Sequence, residues 1–335
     1  MRPSQSELFA VKPLTFAVLR LLSDGDFHSG EKMAQQLHVS RGSIWQSMRN
    51  LDDAGVELFR VPGRGYRLSE PLNWIDEAKI NIGLGDKASF FDLEVSDCLV
   101  STNSRLLEKA VQGALHGSCV ITEQQTAGRG RRGRVWHASL GGSLTFSLLW
   151  RFNQGVGFLS GLSLAVGVAL MRALNQVGVS DVGLKWPNDV LHQHRKLAGI
   201  LIELQGDMLG PSAAVIGVGI NLKLSDKVLN RVDQAAVDIQ TIRGSVPDRN
   251  ALLAIILQHL ADVLNEFDDG GFSSMREEWL KHHAYHEKQV LLMLPDGSQH
   301  EGQLLDVADD GALLVRTAVG KQRFTSGEIS LRTVA

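Results

Sequence analysis

The chain has 335 residues, 44% of them hydrophobic and 21% charged, with a formal net charge of −3. That length exceeds one ordinary core and predicts two or three domains of ordinary globular composition. The slight negative charge excludes a global polycation, so any nucleic-acid contact has to come from a local surface. Cys98 and Cys119 show neither metal-ligand spacing nor a disulfide framework, which fits a reducing cytoplasm. Lys12, Pro13 and Arg20 interrupt the first apolar run, so it does not read as a signal peptide.

Leu14 to Leu22 reads as a first helix, stopped by the turn cluster Ser23-Asp24-Gly25-Asp26. Ser29 can cap a short helix from Gly30 to Leu37. Ser40 can cap the next, predicted from Arg41 to about Asp53 and ending at Ala54-Gly55. On that helix Ile44, Met48 and Leu51 share an inward face, leaving Arg41, Gln46 and Arg49 outward. Leu58 to Leu68 then folds back around Pro62-Gly63-Arg64-Gly65. Two helices joined by a tight turn and followed by a hairpin describe a winged helix-turn-helix. Its second helix would enter a major groove, and Arg60, Arg64 and Arg67 on the wing would meet phosphates. A small three-helix protein-interaction domain is the other reading of this near-neutral region.

Glu70-Pro71-Leu72-Asn73 reads as a linker. Beyond it strands are expected at Val120–Thr122, Leu144–Trp150, Val182–Trp186, Leu197–Leu204 and Ala213–Gly219. Phe152 to Met171 carries no charge over a bilayer-spanning length, but its four glycines and polar residues favour a buried core helix. Asp248 to Phe267 is an amphipathic helix with Leu253, Ile256, Leu260, Val263 and Phe267 on one face. After Gln289, short apolar segments separated by Pro295-Asp296-Gly297, Asp309-Asp310-Gly311 and Val319-Gly320-Lys321 predict a small β-barrel.

Gly128-Arg129-Gly130-Arg131-Arg132-Gly133-Arg134 satisfies G-x-G-x-x-G formally, yet leads to Val135-Trp136-His137-Ala138 and a strand instead of a helix, which excludes a dinucleotide fold. Four guanidinium groups among glycines suit a loop that closes over a carboxylate or phosphate. A solvated basic loop or a nucleic-acid patch is the alternative. Lys185, in Leu184-Lys185-Trp186-Pro187-Asn188-Asp189, ends a strand as a partner for a desolvated anion, unless it is an edge lysine reaching for water. Trp136 reads equally as core, and Asp189 as a turn residue. His282, His283 and His286 include a helical i, i+4 pair, and His192 and His194 flank a turn. Neither cluster has the acid of a zinc-hydrolase motif, so no protein metal site is expected.

Taken in order, Ser101-Thr102-Asn103, Gln125, Gly128 to Arg134 with Trp136, Lys185 to Asp189, Lys196-Leu197-Ala198-Gly199-Ile200 and Gly217-Val218-Gly219-Ile220-Asn221 resemble the biotin–protein ligases. Phe27-His28-Ser29-Gly30, Val61 to Tyr66 and Gly327 to Arg332 extend the resemblance over the whole chain, to the bifunctional members that also repress biotin-synthesis genes. The resemblance implies an α+β multidomain protein: a winged helix-turn-helix (1–70), a central mixed-sheet catalytic domain of biotin/lipoate-ligase type (74–287) and an SH3-like β-barrel (288–335). It implies biotin and ATP as substrates, magnesium accompanying the nucleotide, a biotinyl-adenylate intermediate, and transfer to a lysine of the biotin carrier domain of acetyl-CoA carboxylase. Ser101, Thr102, Asn103 and Gln125 would hold biotin. Arg129, Gly130 and Arg131 would lie over its carboxylate and the adenylate phosphate, and Lys185 would stabilise charge during transfer. Trp136, Asn221 and Arg131 would serve the nucleotide. Arg41, Ser43, Trp45, Gln46, Arg49, Arg60, Arg64 and Arg67 would meet operator DNA as part of an adenylate-dependent homodimer. At Gln46 relatives usually carry lysine, so phosphate contact is weaker there. A monofunctional ligase with a vestigial DNA-binding domain, a non-catalytic biotin-sensing transcription factor and a lipoate-type ligase are the competing readings.

Overall fold

A computed structural model describes residues 11–49, 51–208, 210–232, 234–294, 297–325 and 330–333. The chain opens with helices α1 (Pro13–Leu21), α2 (Gly30–Gln36) and α3 (Arg41–Ser47), then the hairpin β1 (Leu58–Val61) and β2 (Gly65–Leu68). Ser29 and Ser40 accept hydrogen bonds from Lys32 N and Ser43 N, the caps expected of them. Ile44, Met48 and Leu51 are buried, and Arg41, Gln46 and Arg49 point out. Helix α3 is shorter than the sequence predicts. Arg49 N turns back three residues to Gln46 O, Arg60 Nη2 donates to Met48 O at 3.0 Å, and a separate 3-10 turn follows at Leu51–Ala54.

Helix α4 (Glu77–Leu84) precedes β3 (Asp92–Leu99), α5 (Thr102–Val111), β4 (Ser118–Gln125) and β5 (Ser143–Phe152). Then come α6 (Leu162–Gln176), β6 (Val182–Lys185), β7 (Asp189–His192), β8 (Arg195–Gly206) and β9 (Ser212–Asn221). These seven strands form one mixed sheet in the order β3-β4-β5-β9-β8-β7-β6, with β3 and β4 parallel and the other pairs antiparallel. Short α7 (Asp226–Leu229) and α8 (Ile239–Arg243) lead to the long α9 (Arg249–Gly270) and α10 (Arg276–Lys281). The uncharged stretch forms the end of β5 and the buried α6; no helix among the described residues is long and apolar enough to cross a membrane.

Strand alternation divides the sheet into two unlike faces. Leu144, Phe146, Leu148 and Trp150 of β5 and Ala214, Ile216, Val218 and Ile220 of β9 join the main core with α6 and α9. The opposite face is smaller: Val120, Leu149, Ala213 and Val215 pack under Leu106 and Ala110 of α5. Beyond the start of α5, β5 and β9 present Thr145, Ser147, Gly217 and Gly219 on this face, beside Gly199 and Leu201 of β8, and a cleft opens there.

The last strands, β10 (Gln289–Met293), β11 (Gln299–Val307), β12 (Leu313–Thr317), β13 (Gly320–Phe324) and β14 (Ser330–Thr333), make an antiparallel sheet in the order β13-β12-β11-β10-β14. Pro295, Asp296 and Gly327 to Ile329, used in the sequence reading, lie outside the described residues. The β11–β12 turn abuts the central sheet: Trp186 Nε1 donates to Gly311 O at 2.9 Å. The N-terminal unit docks through Arg20, bidentate on Asp97 at 2.9 and 2.5 Å and 4.4 Å above the Trp74 ring. The linker itself is pinned. Buried Arg249 donates to Asn73 O, Ser143 O and Glu123 Oε2, and Glu123 Oε1 accepts from Ile75 N.

Residues 282–288 form turns past the end of α10, not the helix that would stack His282 over His286. His283 is buried against Trp279, ring centroids 4.5 Å apart, and neither ring nitrogen has a hydrogen-bond partner. Burial, with His286 adding to it, pushes its pKa down to about 3. Between an unfolded value near about 6.5 and that folded value, only the unfolded chain takes up the proton. Stability is therefore lost as pH falls through this window, by up to about 1.4 kcal/mol per pH unit. Denaturant unfolding from pH 4 to 6.5 should show a flatter slope for His283→Phe than for the wild type; parallel curves would contradict this.

Candidate functional site

The arginine-rich loop is an ordered miniature hairpin. Trp136 N bonds Gly128 O at 2.9 Å, Gly130 N bonds Arg134 O at 2.8 Å, and Arg129 pairs with Val135. Arg132 and Gly133 turn its tip with φ of 56° and 71°. The hairpin lies across the open part of the sheet and divides it into two adjoining clefts.

The first cleft is a narrow, partly open recess between the hairpin and the sheet. Ser101, Thr102, Asn103, Gln125, Arg129, Gly130, Arg131 and Trp136 all line it, although they come from four separate segments. Ser101 caps α5, which puts Thr102 and Asn103 at the helix entrance. Gln125 Oε1, at the end of β4, accepts from Thr102 N at 2.8 Å. Ser147 Oγ lies 2.5 Å from Asn103 Oδ1 and 2.7 Å from Thr102 Oγ1. The floor has to be glycine: a Cβ on Gly217 would fall 2.1 Å from Asn103 Oδ1.

The second cleft is larger and adds Lys185, Arg132, Arg134, Asp189, His194, Val232, Gln234 and Ala235 to the wall. Gly130, Arg131, Trp136, Asn188 and Lys196 line both, so the clefts meet around them. Arg131 Nη1 reaches Asn188 Oδ1 at 3.2 Å. Burial, and then the charge of Arg132, press the Arg131 guanidinium below its usual value while Asp189 pulls the other way. Excess positive charge partly withdrawn from water is the environment an anion relieves.

Asp189 is not a turn residue. It starts β7, and its Oδ1 lies 2.8 Å from Lys196 Nζ. Trp136 is neither core nor free. Its indole covers the cross-strand glycine pair Gly199 and Gly219, with Lys196 Nζ 5.8 Å from the ring centroid. A Cβ on Gly219 would lie 2.4 Å from that ring. Its Nε1 is buried without a hydrogen-bond partner, a donor at the junction of the clefts. Asn221 lines neither cleft: its Nδ2 donates to Lys196 O and Val237 O, holding the segment beside the second cleft against β8. Three contributors escaped sequence reading. Asn188 and Lys196 stood inside motifs already noted, whereas Glu203 carried no local signal.

The N-terminal unit presents a separate basic and aromatic face. Trp45 is 51% exposed with the Arg49 guanidinium 5.0 Å from its ring. Arg64 and Arg67 stack on Phe27 at 4.3 and 4.9 Å, and Arg67 also on Phe59 at 5.2 Å. Ser43 shares its hydroxyl with Ser40, and Arg60 serves the end of α3. Arg41, Trp45, Gln46, Arg49, Arg60 and Arg64 are the exposed members of the expected DNA-contact set, while Ser43 and Arg67 are half-buried.

These features define a biotin- or lipoate-ligase-type catalytic unit joined to a helix-turn-helix. Family models agree: residues 95–221 match the biotin/lipoate A/B protein ligase family, 15–67 an HTH domain and 285–332 the biotin protein ligase C-terminal domain. The chain is 37% identical to the bifunctional ligase/repressor BirA of Salmonella typhimurium, covering 96% of this chain and 98% of that protein. It is also 37% identical to the Escherichia coli K12 protein of the same name, covering 94% and 96%. The chain belongs to this bifunctional ligase/repressor family. The solved biotin protein ligase from Aquifex aeolicus in complex with biotin and ATP superposes with a TM-score of 0.62 at 28% identity, covering 72% of this chain and 99% of that one.

Packing of Trp136 over Gly219 gives a direct test. Gly219→Ala should cost about 2 kcal/mol of unfolding free energy in the wild type, and little in a Trp136→Ala background. Additive costs in denaturant unfolding would contradict the packing.

Proposed function

We propose that the chain activates biotin with ATP to biotinyl-5′-AMP and passes the biotinyl group to a lysine of a carboxylase carrier domain. The observation that carries this reading is the junction of a small polar pocket and a larger cationic cleft at Arg131. Biotin's carboxylate oxygen attacks the α-phosphorus of ATP, an acyl–phosphate bond forms and pyrophosphate leaves. The carrier lysine, as free amine, then attacks the acyl carbon; an amide forms and AMP leaves. Both nucleophiles belong to substrates, so the protein's work is positioning and neutralising charge.

Ser101, Thr102, Asn103 and Gln125 hold biotin in the first cleft. Arg129, Gly130 and Arg131 cover the carboxylate and the phosphate joined to it. Lys185 faces the same anions from the second cleft, with Trp136 on the adenine side. Asn221 acts on the nucleotide indirectly, through the 235–237 segment that it holds. Magnesium would arrive with the nucleotide, held by phosphates and water. Asp189, the carboxylate in the wall of the second cleft, is engaged by Lys196, and no three His, Cys, Asp or Glu converge among the described residues.

The N-terminal unit is read as an operator-binding domain, acting in an adenylate-dependent homodimer that represses biotin-synthesis genes in the cytoplasm. Arg64 and Arg67, held against Phe27, give the wing charge with little orientational entropy left to lose. Gln46 favours a second reading, a ligase whose operator contact is weakened.

Purified protein given ATP, magnesium, biotin and a carrier domain should release pyrophosphate only when biotin is present. Lys185→Met or Arg131→Ala should each slow that release by about 100-fold or more with the fold retained. Wild-type rates in both variants would remove their roles. For the regulatory half, a mobility shift on the promoter of biotin-synthesis genes should depend on biotinyl-adenylate and weaken with Arg64→Ala; no adenylate-dependent shift would favour the second reading.

A further inference from the structure

Glu203 sits on β8, away from the reacting atoms and outside both cleft walls. It shares a strand face with Gly199 and Leu201, because residues two apart point the same way. Its Oε2 receives two donors from opposite sides of the pocket. Asn103 Nδ2 approaches at 2.9 Å from the start of α5, and Arg129 Nη2 at 2.7 Å from the arginine hairpin. One carboxylate oxygen therefore joins the floor of the first cleft to its cover.

Its effect on Asn103 follows from donor and acceptor arithmetic. Nδ2 faces two acceptors, the Glu203 carboxylate and Leu201 O at 3.2 Å, which use both amide protons. A flipped amide would set its oxygen against those acceptors. Oδ1 is thus turned toward Ser147 Oγ and the bare backbone of Gly217, where it remains an acceptor for a ligand N–H. For Arg129 the consequence is positional. The hairpin's own backbone bonds fix its shape but not its place on the sheet, and the Glu203 pair ties its first strand across the pocket.

We propose that Glu203 is a positioning residue, which through this shared oxygen sets the Asn103 amide to accept from a ring N–H of biotin and anchors the arginine hairpin over the bound acid and its adenylate. It rests on the ligase reading above. Glu203 does not touch the substrates and acts only through Asn103 and Arg129.

The two roles separate by substitution. Glu203→Gln keeps a neutral acceptor for Asn103 and removes the charge from the hairpin anchor. It should speed dissociation of preformed biotinyl-adenylate by about tenfold, the effect of a well-placed, partly buried ion pair, while kcat for adenylation stays within about threefold. Glu203→Ala removes both partners and should raise the KM for biotin by a further factor of about ten. Arg129→Gln, which also gives up its own contact with the bound acid, should release the adenylate at least as fast as Glu203→Gln, and the double variant should release no faster than Arg129→Gln alone, since the same pair is cut. Additive acceleration, of about 100-fold in the double variant, would overturn the anchor. So would wild-type release in Glu203→Gln, or the same biotin KM in Glu203→Ala and Glu203→Gln. Melting curves show whether each variant is folded, and Glu203→Gln, nearly isosteric, carries the test if the alanine variant is not. Wild-type protein without biotin-dependent pyrophosphate release would defeat the ligase reading itself, a result distinct from any of these.

Discussion

The buried pair of Arg249 and Glu123 is the constraint on which the arrangement of the chain turns. Each side chain is 1% exposed, so neither charge has water to fall back on. Such a pair is tolerated only if most of its remaining donors and acceptors are met, and removing one partner costs about 3–5 kcal/mol. Both terminal nitrogens of Arg249 and both oxygens of Glu123 are met, while Arg249 Nε stays buried without a partner, and the bonds come from different parts of the molecule: Asn73 O of the linker and Ile75 N just after it, Ser143 O at the start of β5, and Glu123 itself on β4. One ion pair thus fixes where α9 begins, where the linker runs and how β4 and β5 enter the sheet. The path leaving the helix-turn-helix is set by the same bonds. Asp248, capping α9 and accepting from Asn73 Nδ2, reinforces that joint from its exposed side.

With the back of the sheet settled, the front is free to do chemistry. Alternation along β5 and β9 sends Leu144, Phe146, Ile216 and Val218 into the core and leaves Thr145, Ser147, Gly217 and Gly219 on the open side. Small residues there are a steric requirement, since Asn103 and Trp136 occupy the space a Cβ would need. A face stripped of bulk cannot bury a helix, so α5 covers only its far part. The cleft is what remains uncovered.

Much of this was legible in the sequence. The α9 stripe, the strand segments and the caps at Ser29 and Ser40 follow from periodicity and residue type, and the motifs gathered eight residues that do line one cleft. The parts that were not legible depend on contacts remote in the chain. Arginine is almost never fully buried, so nothing local marks Arg249 as a core residue. Asn221 belongs to a glycine-rich motif that elsewhere touches ligand space, yet its amide turns inward to Lys196 O and Val237 O. The recognition helix stops early because Arg60, from the following hairpin, takes the Met48 carbonyl. Glu203 lies past the Lys196–Ile200 motif of β8, and its meaning exists only once Asn103 and Arg129, 100 and 74 residues away, arrive beside it.

The same geometry explains why the clefts adjoin instead of merging. A carboxylate and a nucleotide triphosphate repel each other, and a single open cationic basin would hold them apart as readily as together. Here the arginine hairpin divides the space and concentrates its buried charge at Arg131, where both compartments reach the same guanidinium. Arg129 is partly balanced by Glu203, and Lys196 by Asp189. Positive charge facing the ligand is thereby graded, lowest around the small pocket and highest at the junction and beyond it. An acid entering the first cleft would be oriented with its carboxylate toward that junction. Neutralising the outer cations is therefore as much a part of the site as supplying the inner ones.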